Sequence, residues 1–158
     1  MSPSGLGGFW TASLWRYELY HWSEPDSLLE TLVRDVQWFP ATQDLSRERL
    51  ADMYRKAPPP AVMWNVHEDQ GGRLWTYALV PDADWKPGPI DTPVPEWSRE
   101  QLDTTLEIID PAGPRLIAQR RFDHVLGRLF GSELVHRVVN TASGDTRAEI
   151  LRPKLLSP

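Results

Sequence analysis

The side chains able to carry chemistry are few and scattered along the chain. The four histidines, His21, His67, His124 and His136, include no pair at the short spacing that puts two on one helix face or hairpin. Imidazole metal sites need such convergence. The absence of cysteine excludes disulfides, thiolate metal sites and cysteine nucleophiles, without fixing a compartment. No Gly-x-Ser-x-Gly elbow, P-loop, Gly-x-Gly-x-x-Gly turn or His-Glu-x-x-His helix occurs. Gly5-Leu6-Gly7-Gly8 is glycine-rich, but no Lys-Ser/Thr pair and helix follow, so it reads as a turn. Glu96, Glu100 and Asp103 cluster near a short helical stretch, and paired carboxylates can act as acid and base. A solvated helix face explains them more simply. Glu68 and Asp69 read first as turn residues, with Asp accepting backbone hydrogen bonds. His21, between Tyr20 and Trp22, reads as a packed or surface histidine on a strand.

The frame that must position these groups is an ordinary globular one. With 158 residues, 41% hydrophobic and 25% charged, the chain is about one domain long and neither disordered nor collagen-like. No apolar run approaches the roughly 20 residues needed to span a bilayer, and residues 1–8 have neither a basic n-region nor an apolar h-region. As written, the chain is expected to be neither exported nor membrane-bound, which reads as cytoplasmic. The formal charge of −5 hides an asymmetry: residues 1–112 carry 9 basic and 18 acidic side chains, residues 113–158 carry 8 and 4. An acidic majority argues against a sequence-independent grip on nucleic acid. Arg120, Arg121, Arg128 and Arg137 read as solvated positions or as partners for the acidic half.

Eight Trp beside fifteen Pro and ten Gly suggest many short strands with frequent turns. Residues 17–22 and 28–33 are two β-rich runs around a Ser-Glu-Pro-Asp turn, a hairpin signal. The same form returns at 105–109 and 115–122 around Asp110-Pro111-Ala112-Gly113. Aligning Leu19 with Leu106 also aligns Leu29 with Leu116, so a single offset of 87 serves both strands. A second unit, a Gly turn followed by a large apolar residue and Trp, occurs at 8–14 and again at 72–79, offset by 65. A fainter copy spans 131–139, followed by the turn Ser143-Gly144-Asp145 and a strand over 147–151. Repeats of four-stranded antiparallel units are the signature of propeller blades.

With strands A to D running outward from the axis, the chain divides into a blade over 8–36, an insertion over 37–59, a blade over 60–123, and a blade over 124–156. The middle blade is interrupted by a Pro-rich insertion over 82–101. The predicted fold is therefore all-β, an antiparallel propeller-like arc of about three blades. One short helix is expected over 45–56, where Leu45, Leu50, Met53 and Tyr54 approximate one face and Pro58-Pro59-Pro60 stops it. Trp10 and Trp75 occupy equivalent places and should each fill the space between adjacent blades. Trp38, Phe39, Trp85 and Trp97 fall in or beside the insertions and have no repeat equivalent. Together on one face they would form an aromatic recognition surface; folded over the blades they would cap the core.

Ser2-Pro3-Ser4-Gly5 before Phe9-Trp10 resembles the Ser-Pro-x-Gly turn between strands A and B of six-bladed propellers of the NHL/TolB-like superfamily. Asp69-Gln70-Gly71-Gly72-Arg73-Leu74-Trp75 resembles their Asp-x-x-Gly-x-Leu-Trp version. With Trp38-Phe39-Pro40 and the Pro-rich insertion, the chain resembles the C-terminal half of bacterial members. That resemblance implies a final blade of three strands, since such rings often close by borrowing a strand from the N-terminus. It also implies that the innermost strand of the first blade is absent, because Met1 stands directly before a turn, and that about three blades are present where closure requires six. Two outcomes follow: a piece of a longer propeller, or a half-ring completed by a second copy or another chain through its open blade edges. The expected role is a non-enzymatic binding scaffold for a protein or small ligand, with no cofactor, nucleic acid or membrane. The alternative implied by the resemblance is a calcium-dependent hydrolase of the lactonase or esterase type. Its axial Ca2+ would be held by hard oxygen ligands, here Asn65 and Glu68. Intact members are often exported.

Overall fold

A computed structural model describes residues 2–5, 7–23, 26–41, 56–87, 101–128, 134–141 and 143–155. Eleven strands among them form three antiparallel sheets. The first is β1 (Ser2–Pro3), β2 (Phe9–Ala12), β3 (Glu18–Trp22) and β4 (Leu28–Val33), paired in that order. The second is β5 (Val62–Glu68), β6 (Leu74–Pro81), β7 (Leu102–Asp110) and β8 (Arg115–Phe122), again in sequence order. The third has β9 (Gly127–Arg128), β10 (Val135–Asn140) and β11 (Thr146–Leu151), with β10 central. The fold is thus an all-β, propeller-like succession of three meanders. The expected helix lies outside the described residues except for Lys56.

The repeat inferred from sequence is repeated in the strand register. Trp10 pairs with His21, Thr11 with Tyr20 and Ala12 with Leu19. Offset by 65 and 87, Trp75 pairs with Ile108, Thr76 with Glu107 and Tyr77 with Leu106. The outer strands correct the single offset. Leu19 pairs with Leu32, but Leu106 pairs with Arg120, so β4 maps onto β8 at an offset of 88. The cause lies beside a β-bulge present in both hairpins. The register slips between His21 and Trp22 in one and between Ile108 and Ile109 in the other, leaving Leu29 and Ile117 as the extra residues. Leu29 is therefore equivalent to Ile117, not to Leu116.

A second correction concerns the first sheet. Its innermost strand is present as the two-residue β1, with Ser2 opposite Trp10 and Pro3 opposite Phe9. The turn from β1 to β2 needs glycine at Gly8, where φ is +79° and an added Cβ would lie 1.8 Å from the Trp22 carbonyl oxygen.

Two cores separate the sheets. Between the first and second lie Trp10, Leu19 and Leu32 against Met63, Val66, Leu74 and Ile109. On the other side of the second sheet, Trp75, Tyr77, Leu106 and Ile108 meet Leu126 and Val135. Successive residues of β6 serve alternate cores, so β6 and β7 are covered on both faces while β8 stays largely exposed. Seven of the eight β6 residues and eight of the nine in β7 are buried. Trp10 and Trp75 each occupy the interface expected for them.

Candidate functional site

The proposed metal ligands do not converge. Val66 faces the first core, and Glu68, two residues on, shares that face of β5. Its Oε2 accepts from the Ser4 hydroxyl at 2.7 Å and the Trp10 indole N–H at 2.8 Å, and its Oε1 accepts from the Gly5 backbone N–H at 3.0 Å. Glu68 clamps the first β1–β2 turn onto the second sheet. Asn65 occupies the opposite face of β5, in register with Tyr77. Among the described residues no three His, Asp or Glu side chains gather as a metal-binding group.

Asp69 performs the turn chemistry expected of its motif. Its Oδ1 accepts the backbone N–H groups of Gly71 and Arg73, and its Oδ2 accepts Arg73 Nε at 2.8 Å and Trp75 Nε1 at 2.9 Å. Burial pushes its carboxyl up. Hydrogen bonds from Trp75, from the Arg73 and Gly71 backbone and from the Arg73 side chain outweigh that and hold it below the ordinary value.

Three of the four candidate recognition residues are described, and two of them, Trp38 and Phe39, lie together. Phe39 is only 2% exposed and sits in the first core. Trp38 packs beside it, and both rings meet the Tyr17 ring edge-on at 5.6–5.9 Å. Trp38 and Phe39 therefore cap the first interface, and Phe39 is not a surface residue. Trp85 is half-buried at the start of the second insertion, its backbone N–H bonded to the Asp82 carbonyl. The ends of that insertion are pinned together, since Gln101 accepts from the backbone N–H groups of Asp82 and Lys86. Trp97 lies outside the described residues. The histidines stay apart: His21 stacks on Trp10 at 4.6 Å, and His67 lies against Trp75 and Tyr77.

Two features escaped the sequence. Glu107 is 1% exposed at the first interface, where it accepts hydrogen bonds from the Tyr17 hydroxyl and the Arg34 guanidinium. The Tyr17 hydroxyl also lies 2.8 Å from the Thr76 hydroxyl, and Arg34 sits over the Tyr17 ring. Burial, and next the adjacent Glu107 charge, push the Tyr17 phenol well above its ordinary value. The second feature is the outer face of the first sheet. Cross-strand pairing puts Phe9 opposite Trp22, Trp22 opposite Leu28, Thr11 opposite Tyr20, and Tyr20 opposite Thr31. Trp22 Nε1 donates to the Thr11 hydroxyl, and the Tyr20 phenol donates to Glu18 on the same face. That bond raises the Tyr20 phenol's pKa. Leu28 is 49% and Val33 61% exposed. The sequence signal for this face was present in the alternation of residues 17–22 but did not say which side a neighbour covers.

Comparison with known protein families, with curated proteins and with solved structures finds no match to this chain.

Proposed function

We propose that this chain is a non-enzymatic interaction scaffold that works by accepting a further β-sheet on the outer face of its first sheet. One observation carries the reading. Phe9, Thr11, Tyr20 and Trp22 are the repeat equivalents of Leu74, Thr76, Glu107 and Ile109. In the second sheet, those positions meet the first sheet: Leu74 and Ile109 in the shared core, Thr76 and Glu107 through Tyr17 and Arg34. The same positions in the first sheet form a row of three aromatic side chains and a threonine, with no described sheet of this chain packed against them. Full burial of a large apolar side chain is worth about 1.5–3 kcal/mol, so half-exposed Leu28 and Val33 gain roughly 1 kcal/mol each when covered.

The partner supported best is a second copy, offering the far face of its third sheet, where Val138 is 51% and Ile150 54% exposed. The ends have opposite charge: residues 1–36 carry 2 basic and 5 acidic side chains, residues 124–158 carry 5 and 3. Such complementarity favours head-to-tail contact. Light scattering on the purified 158-residue chain tests this. A dimer mass that falls toward monomer with rising salt, and in the variants Val33→Lys and Ile150→Lys, is expected. A monomer at all concentrations to about 100 μM overturns the reading.

A further inference from the structure

The second and third sheets do not close on each other as the first two do. Between them runs a cleft of about 420 Å3 whose walls include Trp75, Leu106, Ile108, Phe122 and Leu151. A second cavity of about 270 Å3 shares Trp75, Pro153, Lys154 and Leu155 with it and continues to His67, Asp69 and Arg73. The combined space is apolar at one end and polar at the other, within the size range of small-molecule sites. The rings of Trp75, His67 and Tyr77 stack in a row along the polar end, with His67 at 5.8–5.9 Å and about 22–24° from each neighbour.

Charge along this space is one-sided. Arg73, Arg120, Arg152 and Lys154 line it, against the single carboxylate of Asp69. Asp69 is already neutralised by Arg73 at 2.8 Å. Arg120 rests over the Phe122 ring at 5.1 Å. Among the described residues, neither Arg152 nor Lys154 has a carboxylate within ion-pairing distance. Cations bordering a low-dielectric cleft concentrate field at its mouth and favour an anion there.

We propose that this cleft binds a small amphipathic carboxylate. Its apolar body, a medium-length acyl chain or a ring of similar bulk, lies on Trp75, Leu106, Ile108 and Leu151. Its carboxylate meets Lys154 and Arg152 at the C-terminal edge. An uncharged amphiphile would gain the same apolar contacts and lose the charge-assisted bonds, which are the stronger kind. A cationic amphiphile would be repelled. The site is independent of the outer face of the first sheet, so neither the oligomeric state nor its salt dependence bears on it.

Calorimetric titration of the 158-residue chain with sodium decanoate, below its micelle-forming concentration, tests the proposal, with decanol as the uncharged control. Saturable 1:1 binding is expected, at least tenfold tighter for decanoate than for decanol. The double variant Arg152→Glu/Lys154→Glu, changed only at exposed positions, should weaken decanoate at least tenfold and leave decanol unaltered. Ala118→Leu, which places bulk into the cleft wall from β8, should weaken both. Absence of saturation, equal affinity for the two probes, or decanoate binding indifferent to the double variant overturns the proposal.

Discussion

Arg34→Met should be among the costliest single substitutions in the chain. It deletes the cation facing Glu107, whose side chain is 1% exposed while that of Arg34 is 14% exposed. The carboxylate would remain at the first interface with the Tyr17 hydroxyl as its donor among the described residues, since its Oε1 has no hydrogen-bond partner among them. Breaking a buried pair in this way typically costs about 3–5 kcal/mol, against a total stability of roughly 5–15 kcal/mol. With a urea dependence of about 2 kcal/mol per M, the midpoint should fall by about 1.5–2.5 M. Glu107→Leu should cost less, because Arg34 is the more exposed partner and keeps the Tyr17 ring beneath it, 5.0 Å from the centroid. The double variant should be more stable than Arg34→Met alone, since no buried charge is left behind and Tyr17 retains Thr76. Urea denaturation followed by tryptophan fluorescence measures all three, with an expected coupling of about 2–3 kcal/mol. Additivity within about 0.5 kcal/mol, or a loss below about 1 kcal/mol for Arg34→Met, would refute the view that Glu107 and Arg34 act as one coupled buried pair at the interface.

Three further outcomes are expected. Glu68→Ala removes the acceptor for Ser4, Gly5 and the buried Trp10 indole; about 2–3 kcal/mol should be lost, seen as a melting temperature roughly 5–10 °C lower. The depressed Asp69 carboxyl contributes stability that is present above its unfolded value of about 3.9 and lost as pH falls through its lower folded value. Asp69→Asn should therefore flatten the acid limb of stability below about pH 4, read by denaturation midpoints from pH 2 to 7. Gly7→Ala and Gly8→Ala form a matched pair, since both residues have positive φ. Only at Gly8 would the new Cβ meet backbone, 1.8 Å from the Trp22 carbonyl oxygen, so Gly8→Ala should cost more by at least about 1 kcal/mol.

The strand inventory was legible because period-2 runs, Pro/Gly turns and the Trp-bearing repeat all agree. The offsets of 65 and 87 survive into the register of Trp10 with His21 and Trp75 with Ile108. The outer-strand offset was not legible, since turns of different length absorb the extra residue and a bulge has no sequence mark in Leu28-Leu29 or Leu116-Ile117. Glu107 was hidden for a related reason. In Leu106-Glu107-Ile108 the alternation implies one wet face, but a sheet packed on both sides has none, and the donors for Glu107 come from residues 73 and 90 positions away. Glu68 and Asp69 look alike in sequence. They point to opposite faces of the chain's path, and only three-dimensional placement separates the clamp between sheets from the clamp within a turn.

The unlike construction of the two interfaces sets an order of opening. The first is crossed by Glu68, by the Tyr17–Glu107–Arg34 network and by a backbone bond from Met63 to Leu14. Among the described residues, the second rests on apolar contact and on Thr104, which bonds His124 and Leu126 just before β9. Local stability follows such differences in buried contact and hydrogen bonding. The first two sheets should therefore open as one cooperative unit, and β10 and β11 should detach at lower free energy without unfolding the rest. Amide protons of Val135–Asn140 should exchange with solvent by that partial opening, whereas those of β6 and β7 wait for the whole pair of sheets to come apart.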